Sequence, residues 1–170
     1  MPLRLLLMIL IGHGAEAQLY TFYERPHRWS ATVEAGGISP VLAVNAEYSL
    51  FQTGRTFTVI HLGIGHTFTN YSLHSLPHAL TLNYLLNRRK PRCPPPIGEP
   101  KQWFLEVGAG GLVFNSPKDK EYYRFTPIIG VRRYQTARYT RTRYFYKAQF
   151  TPLILGKLLP WGGIGLGMIL

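Results

Sequence analysis

The chain has 170 residues, a single cysteine, and 19 Lys and Arg against 8 Asp and Glu, a formal charge of +11. One cysteine excludes an internal disulfide framework and a cysteine-based zinc site, so stability has to come from packing and sheet closure. The charge raises nucleic acid as a partner, but the export signal described next takes the chain away from it and makes acidic lipid headgroups the better fit.

Residues 1–17 have the form of a cleavable signal peptide. Arg4 supplies the positive start, Leu5 to Ile11 a short apolar core, and Ala15-Glu16-Ala17 a small-x-small cleavage site that leaves Gln18 first. The apolar core is far below the roughly 20 residues of a membrane-spanning helix. Residues 18–28 read as an N-terminal extension and 29–170 as one domain.

From residue 29 onward, period-two alternation recurs in eight segments. The first, about 29–37, sets Trp29, Ala31 and Val33 against Ser30, Thr32 and Glu34. The second, 41–51, sets Leu42, Val44, Ala46, Tyr48 and Leu50 against Asn45, Glu47 and Ser49. The third, about 55–65, opposes Thr58, Ile60, Leu62 and Ile64 to His61, Gly63 and Gly65; the fourth, about 76–87, opposes Leu80, Leu82, Tyr84 and Leu86 to Thr81 and Asn83. The fifth, about 102–114, sets Trp103, Leu105, Val107 and Ala109 against Glu106, Gly108 and Gly110. The sixth, about 122–133, sets Tyr123, Phe125, Ile129 and Val131 against Arg124, Thr126, Gly130 and Arg132. The seventh, about 141–153, sets Tyr144, Tyr146, Ala148 and Phe150 against Arg143, Lys147, Gln149 and Thr151. The last, 160–170, carries Ile164, Leu166 and Met168 opposite Gly163, Gly165 and Gly167 and ends the chain on a strand able to pair with the first.

The connections are short except 88–101, which is basic and proline-rich and reads as a loop. The tight connection near Gly36 to Pro40 is open to two readings, a turn or a bulge inside one long strand. The whole predicts an all-β fold: an eight-stranded antiparallel up-and-down transmembrane β-barrel. Alternation alone does not say which face is inside, so a soluble exported lipocalin-like barrel with apolar faces inward stays open as an alternative. The polar face gathers Glu34, Glu47 and Glu106 with Arg124, Arg132, Arg143 and Lys147, and aromatics collect near the ends of the apolar faces, which favours the membrane barrel. These seven charges form the candidate interior network, with polar-face glycines making room for them.

The stretches VEAGG (33–37), VNAEYSLF (44–51), LTLNYLL (80–86), FLEVGAG (104–110), IGVRRYQ (129–135), YKAQFTPL (146–153) and PWGGIGLG (160–167) resemble, in order, small outer-membrane β-barrel proteins of the Bacteroidetes type. That resemblance implies a Gram-negative cell outer membrane as location and carries no defined chemistry. The Ile169-Leu170 ending departs from the aromatic ending usual in that family.

The expected role is structural or an undefined envelope function, with no enzyme activity, cofactor or metal. Expected partners are outer-membrane lipids and, during biogenesis, the outer-membrane assembly machinery, with no nucleic acid and a monomeric state. A lipid-modifying enzyme is the other alternative, because His61, His66, His74 and His78 lie near Ser72 and Ser75 in sequence. With both termini periplasmic, strand counting puts Arg88, Arg89, Lys90, Arg92, Arg133, Arg138 and Arg141 at the periplasmic rim. Cys93 reads as a free thiol in the 88–101 loop.

Overall fold

The computed structural model describes residues 28–39, 41–53, 55–66, 75–87, 102–116, 120–136, 142–154 and 158–170. The signal-peptide reading of 1–17 and the extension 18–28, apart from Arg28, lie outside them. Ten strands follow in chain order: β1 (Trp29–Gly36), β2 (Leu42–Gln52), β3 (Thr56–His66), β4 (Ser75–Leu85), β5 (Gln102–Ser116), β6 (Lys120–Thr136), β7 (Arg143–Phe150), β8 (Leu153–Ile154), β9 (Leu158–Leu159) and β10 (Gly162–Ile169). Eight of them close an antiparallel barrel in the order β1-β10-β7-β6-β5-β4-β3-β2, and β8 with β9 makes a separate two-stranded ribbon. Among the described residues no helix is long and apolar enough to cross a membrane.

Closure is made where the sequence places it. Val33 pairs with Leu166 of β10 on one side and with Val44 of β2 on the other. The Gly36 to Pro40 connection is a turn: Gly36 and Gly37 adopt φ of 73° and 81°, a region that penalises any residue with a Cβ. Gly36 N–H donates to Val41 carbonyl across it, at 2.9 Å.

The termini end of the barrel carries Trp29, the β2–β3 turn, the β4–β5 and β6–β7 connections and Ile169; the opposite end carries the other connections. Every barrel strand presents an apolar face to the outside. Val33, Val44, Leu62, Leu80, Val107, Ile129, Tyr146 and Ile164, one from each strand, are between 46% and 68% exposed. Their inward neighbours Glu34, Glu47, His61, Thr81, Glu106, Arg132 and Lys147 are all buried. The lipocalin-like alternative needs the reverse arrangement, and the structure does not have it.

Two of the boundaries that differ from the sequence reading have a visible cause. The seventh segment, expected to run to 153, stops at Phe150, because Pro152 has no N–H for the ladder and Thr151 N–H turns to the Trp161 carbonyl, at 2.8 Å. Thr126 Oγ1 then donates to the Pro152 carbonyl, at 2.9 Å, and fixes the departure of the ribbon. The β5–β6 hairpin is longer than expected, pairing out to Ser116 with Lys120, because Asn115, Ser116, Lys120 and Glu121 are polar on both faces and give no alternation to read.

Candidate functional site

The inward face is layered. In the middle of the barrel, nearly every strand contributes a polar side chain at one level: Thr32 and Glu34 from β1, Glu47 from β2, His61 from β3, Thr81 from β4, Glu106 from β5, Arg132 from β6 and Lys147 from β7. On β10 the matching position is Gly165, where a Cβ would press on the Lys147 side chain, its Cε at 2.8 Å. Glycine there leaves the lumen to the long neighbouring chain.

Glu47 is the hub. Its Oε2 accepts from Arg132 Nη1 at 2.7 Å, and its Oε1 from Thr32 Oγ1 at 2.7 Å and Lys147 Nζ at 3.3 Å. Arg132 reaches on to Glu106 Oε1 through Nη2, at 3.1 Å, and Lys147 to Glu34 Oε2, at 2.8 Å. Glu34 also accepts from Gln149 Nε2, from Asn45 Nδ2 at 3.4 Å and from the Ile38 amide at 3.3 Å. An unpaired ion at this depth would carry a heavy desolvation cost, and these contacts offset it.

His61 completes the charge balance. Its Nδ1 lies 3.1 Å from Glu47 Oε1 and its Nε2 3.4 Å from Glu106 Oε1. Nε2 is also 3.0 Å from Thr81 Oγ1, whose own proton goes to Glu106 Oε1 at 2.8 Å. Carboxylates accept only, so this geometry suits an imidazolium donating from both nitrogens. Three carboxylates then face three cations, Arg132, Lys147 and His61.

Apolar clusters occupy the lumen on both sides of the charged layer. Toward the termini end, Phe57, Val59, Leu85 and Phe104 pack with Tyr134. The Phe57 and Phe104 rings meet edge-on at 5.0 Å, Tyr134 lies 5.1 Å from Phe145, and the Arg132 guanidinium sits 4.5 Å from the Phe145 ring centre. β3 and β7 stand on opposite walls, so this aromatic group spans the lumen. At the other end the β1–β2 turn folds inward. Ile38 crosses to β4, β5 and β6 and packs with Ala79, Leu112 and Ile128. Ser39 Oγ holds the turn to the His66 carbonyl, at 3.2 Å.

Of the seven charges read as one network, the structure brings together Glu34, Glu47, Glu106, Arg132 and Lys147. Arg124 and Arg143 have the right strand parity but the wrong height: each is half-buried near a strand end, Arg143 at the termini end and Arg124 at the other. Parity fixes the face of a residue and says nothing of its level along the barrel. Glycines at positions read as space for long charged chains serve mostly other neighbours: Gly63 faces Asn45, Gly65 faces Ser39, and Gly167 lies against the Phe145 ring.

Sequence reasoning missed His61 as a network member and missed both apolar clusters. The signal for His61 was present, since it shares β3 parity with Gly63 and Gly65 and pairs directly with Glu47. The catalytic grouping does not assemble among the described residues. Ser75 points inward, its Oγ 3.4 Å from Ser39 Oγ, while His78 points outward and stacks on Tyr123 at 5.6 Å. His66 is exposed at the end of β3, and Ser72 and His74 lie outside the described residues.

No known protein family and no curated protein matches this sequence. The fold does have a counterpart: the crystal structure of the N-terminal β-barrel domain of Pseudomonas aeruginosa OprF superposes with a TM-score of 0.57, covering 84% of this chain and 98% of that one at 13% identity. At that identity the likeness is one of architecture alone. The Bacteroidetes-type resemblance therefore has no family match behind it and rests on the sequence stretches themselves.

Among the basic residues read as one rim, Arg133 lies on the outward face at the termini end, 5.1 Å over the Trp103 ring. Arg88, Arg89, Lys90, Arg92, Arg138 and Arg141 lie outside the described residues, as does Cys93.

Proposed function

We propose that this chain is an outer-membrane β-barrel of a Gram-negative envelope, exported by residues 1–17, with a structural or envelope role and a sealed interior rather than an open pore. The observation that carries this reading is the outward apolar face on all eight barrel strands wrapped around a buried layer of paired charges. Water would leave that exterior exposed over the whole barrel, whereas hydrocarbon solvates it and the closed sheet leaves no edge to satisfy. An 11-residue strand such as β2 is about 36 Å long and, tilted by about 45°, covers about 25 Å along the axis, the height of an outer-membrane apolar band.

The aromatic residues support the same placement. Trp29, Tyr48, Tyr84, Trp103, Tyr144 and Tyr146 gather toward the termini end, as an interfacial girdle would. Apolar clusters lie on both sides of the charged layer, so the barrel is read as a scaffold, acting without cofactor or catalysis and as a monomer. Kinship with the small Bacteroidetes-type barrels remains part of this proposal. Lipids of the outer membrane and, during biogenesis, its assembly machinery are the partners it implies.

Two measurements test it. In an outer-membrane fraction the unheated protein should migrate faster on a gel than the boiled one; equal mobility of both forms, or recovery in the soluble periplasm, overturns the reading. A membrane-impermeant maleimide applied to intact cells should leave Cys93 unlabelled if the termini face the periplasm, and labelling inverts the orientation.

A further inference from the structure

Arg133 is a cation on the apolar side of the barrel. Cross-strand pairing places it between Trp103 of β5 and Tyr146 of β7, both exposed to the exterior. Its guanidinium lies 5.1 Å from the Trp103 ring centre, a distance at which the ring quadrupole holds a cation while leaving donors for another group. The residues on its own face toward the barrel middle, Val131 and Ile129, are apolar, so Arg133 marks the level at which the apolar band ends.

Among the described residues the charges at that end of the barrel are of one sign. The charged side chains described at the termini end are Arg28, Arg55, Arg133 and Arg143, and no acidic side chain is described there; the acidic residues of the barrel middle are all turned inward. A forked guanidinium resting on an indole, at the edge of an apolar wall and inside a positive rim, fits an anionic headgroup whose acyl chains lie along that wall.

We propose that Arg133, Trp103 and Tyr146 form a seat for the phosphate of an anionic glycerophospholipid, its acyl chains running beside Val131 and Ile129. This inference rests on the membrane reading above. The guanidinium donates to two phosphate oxygens, Trp103 fixes the plane of the guanidinium, and Tyr146 bounds the other side of the seat. The charge of the Arg133 guanidinium favours a net negative headgroup over a zwitterionic one.

The test is lipid retention by the purified, folded full-length barrel in native mass spectrometry, with phosphatidylglycerol and phosphatidylcholine of the same acyl chains in equal amounts. The expected result is preferential retention of phosphatidylglycerol, weakened about fivefold by Arg133→Gln, the effect of one basic residue at an anionic surface. Arg133→Lys should recover part of it, since the charge returns without the fork. Heat-modifiable migration of each variant separates loss of the seat from loss of the fold. Equal retention of the two lipids by the unmodified protein, or a preference that survives Arg133→Gln, overturns the seat. Stronger retention of lipid A than of phosphatidylglycerol, lost with Arg133→Gln, overturns the glycerophospholipid assignment. Failure of the unmodified protein to enter bilayers at all overturns the membrane reading instead.

Discussion

Neutralising Glu47 should destabilise the barrel by about 3 kcal/mol, and the size of that effect follows from its contacts. Breaking a buried ion pair by removing one partner costs about 3–5 kcal/mol. Glu47→Gln keeps the shape but leaves Arg132, Lys147 and His61 facing two carboxylates where there had been three. The lower end of the range applies, because Lys147 retains Glu34 at 2.8 Å and Arg132 retains Glu106 at 3.1 Å. Removing Arg132 as well restores the balance: Glu47→Gln with Arg132→Met leaves Lys147 on Glu34 and His61 on Glu106, two carboxylates for two cations. The double variant should therefore be more stable than the sum of the single losses predicts, by about 2 kcal/mol, within the coupling found for contacting charges. Urea unfolding of the detergent-solubilised barrel, followed by tryptophan fluorescence, measures all four species. A loss below about 1 kcal/mol for Glu47→Gln, or additivity within about 0.5 kcal/mol, would refute the network as a cooperative unit.

Other outcomes follow from the same geometry. Nitrogen NMR of ring-labelled protein should show both His61 nitrogens protonated at neutral pH, and a single protonated nitrogen would contradict the double-donor arrangement with Glu47 and Glu106. Gly167→Ala should cost about 1–3 kcal/mol by overpacking, since a Cβ there meets the buried Phe145 ring, and Phe145→Leu in the same chain should return part of the loss. If the ring simply moves aside, Gly167→Ala will unfold at the same urea concentration as the unmodified protein. Leu80→Arg, on the outward face midway along β4, should lower folding into vesicles by about 2–4 kcal/mol if that face meets hydrocarbon. In water an exposed Leu→Arg change stays within about 0.5 kcal/mol, so a neutral result counts against the lipid-facing assignment.

The number and order of the barrel strands and the two faces of each were legible because they depend on a local regularity, the alternation of one residue out and the next in, while the choice of outward face came from where the charges gather and the β8–β9 ribbon was not foreseen. Val44, Leu80 and Ile164 illustrate it: each sits between two polar or small neighbours, and each is exposed in the barrel. Height along the axis was not legible, because it depends on the stagger of eight strands at once. Arg124 and Arg132 look equivalent in sequence, eight residues apart on the same face, yet Arg132 lies in the charged layer and Arg124 near the strand end. The apolar clusters escaped for a related reason. Phe57, Phe104 and Phe145 occupy inward positions near the termini end, and nothing in a single strand shows that they meet across the lumen. Ile38 was hidden in a turn, where side-chain direction follows from the positive φ of Gly36 and Gly37 rather than from any period. The end of β7 was hidden in the same way, by one proline whose effect depends on where Thr151 finds its partner.

The central claim is that the exposed apolar band is a lipid-facing surface, and the direct measurement is refolding of the urea-denatured chain in the presence of phospholipid vesicles. The account predicts that the protein floats with the vesicles, resists alkaline carbonate extraction and gains the faster-migrating unheated band. A folded, monomeric protein that stays in the aqueous fraction would contradict it.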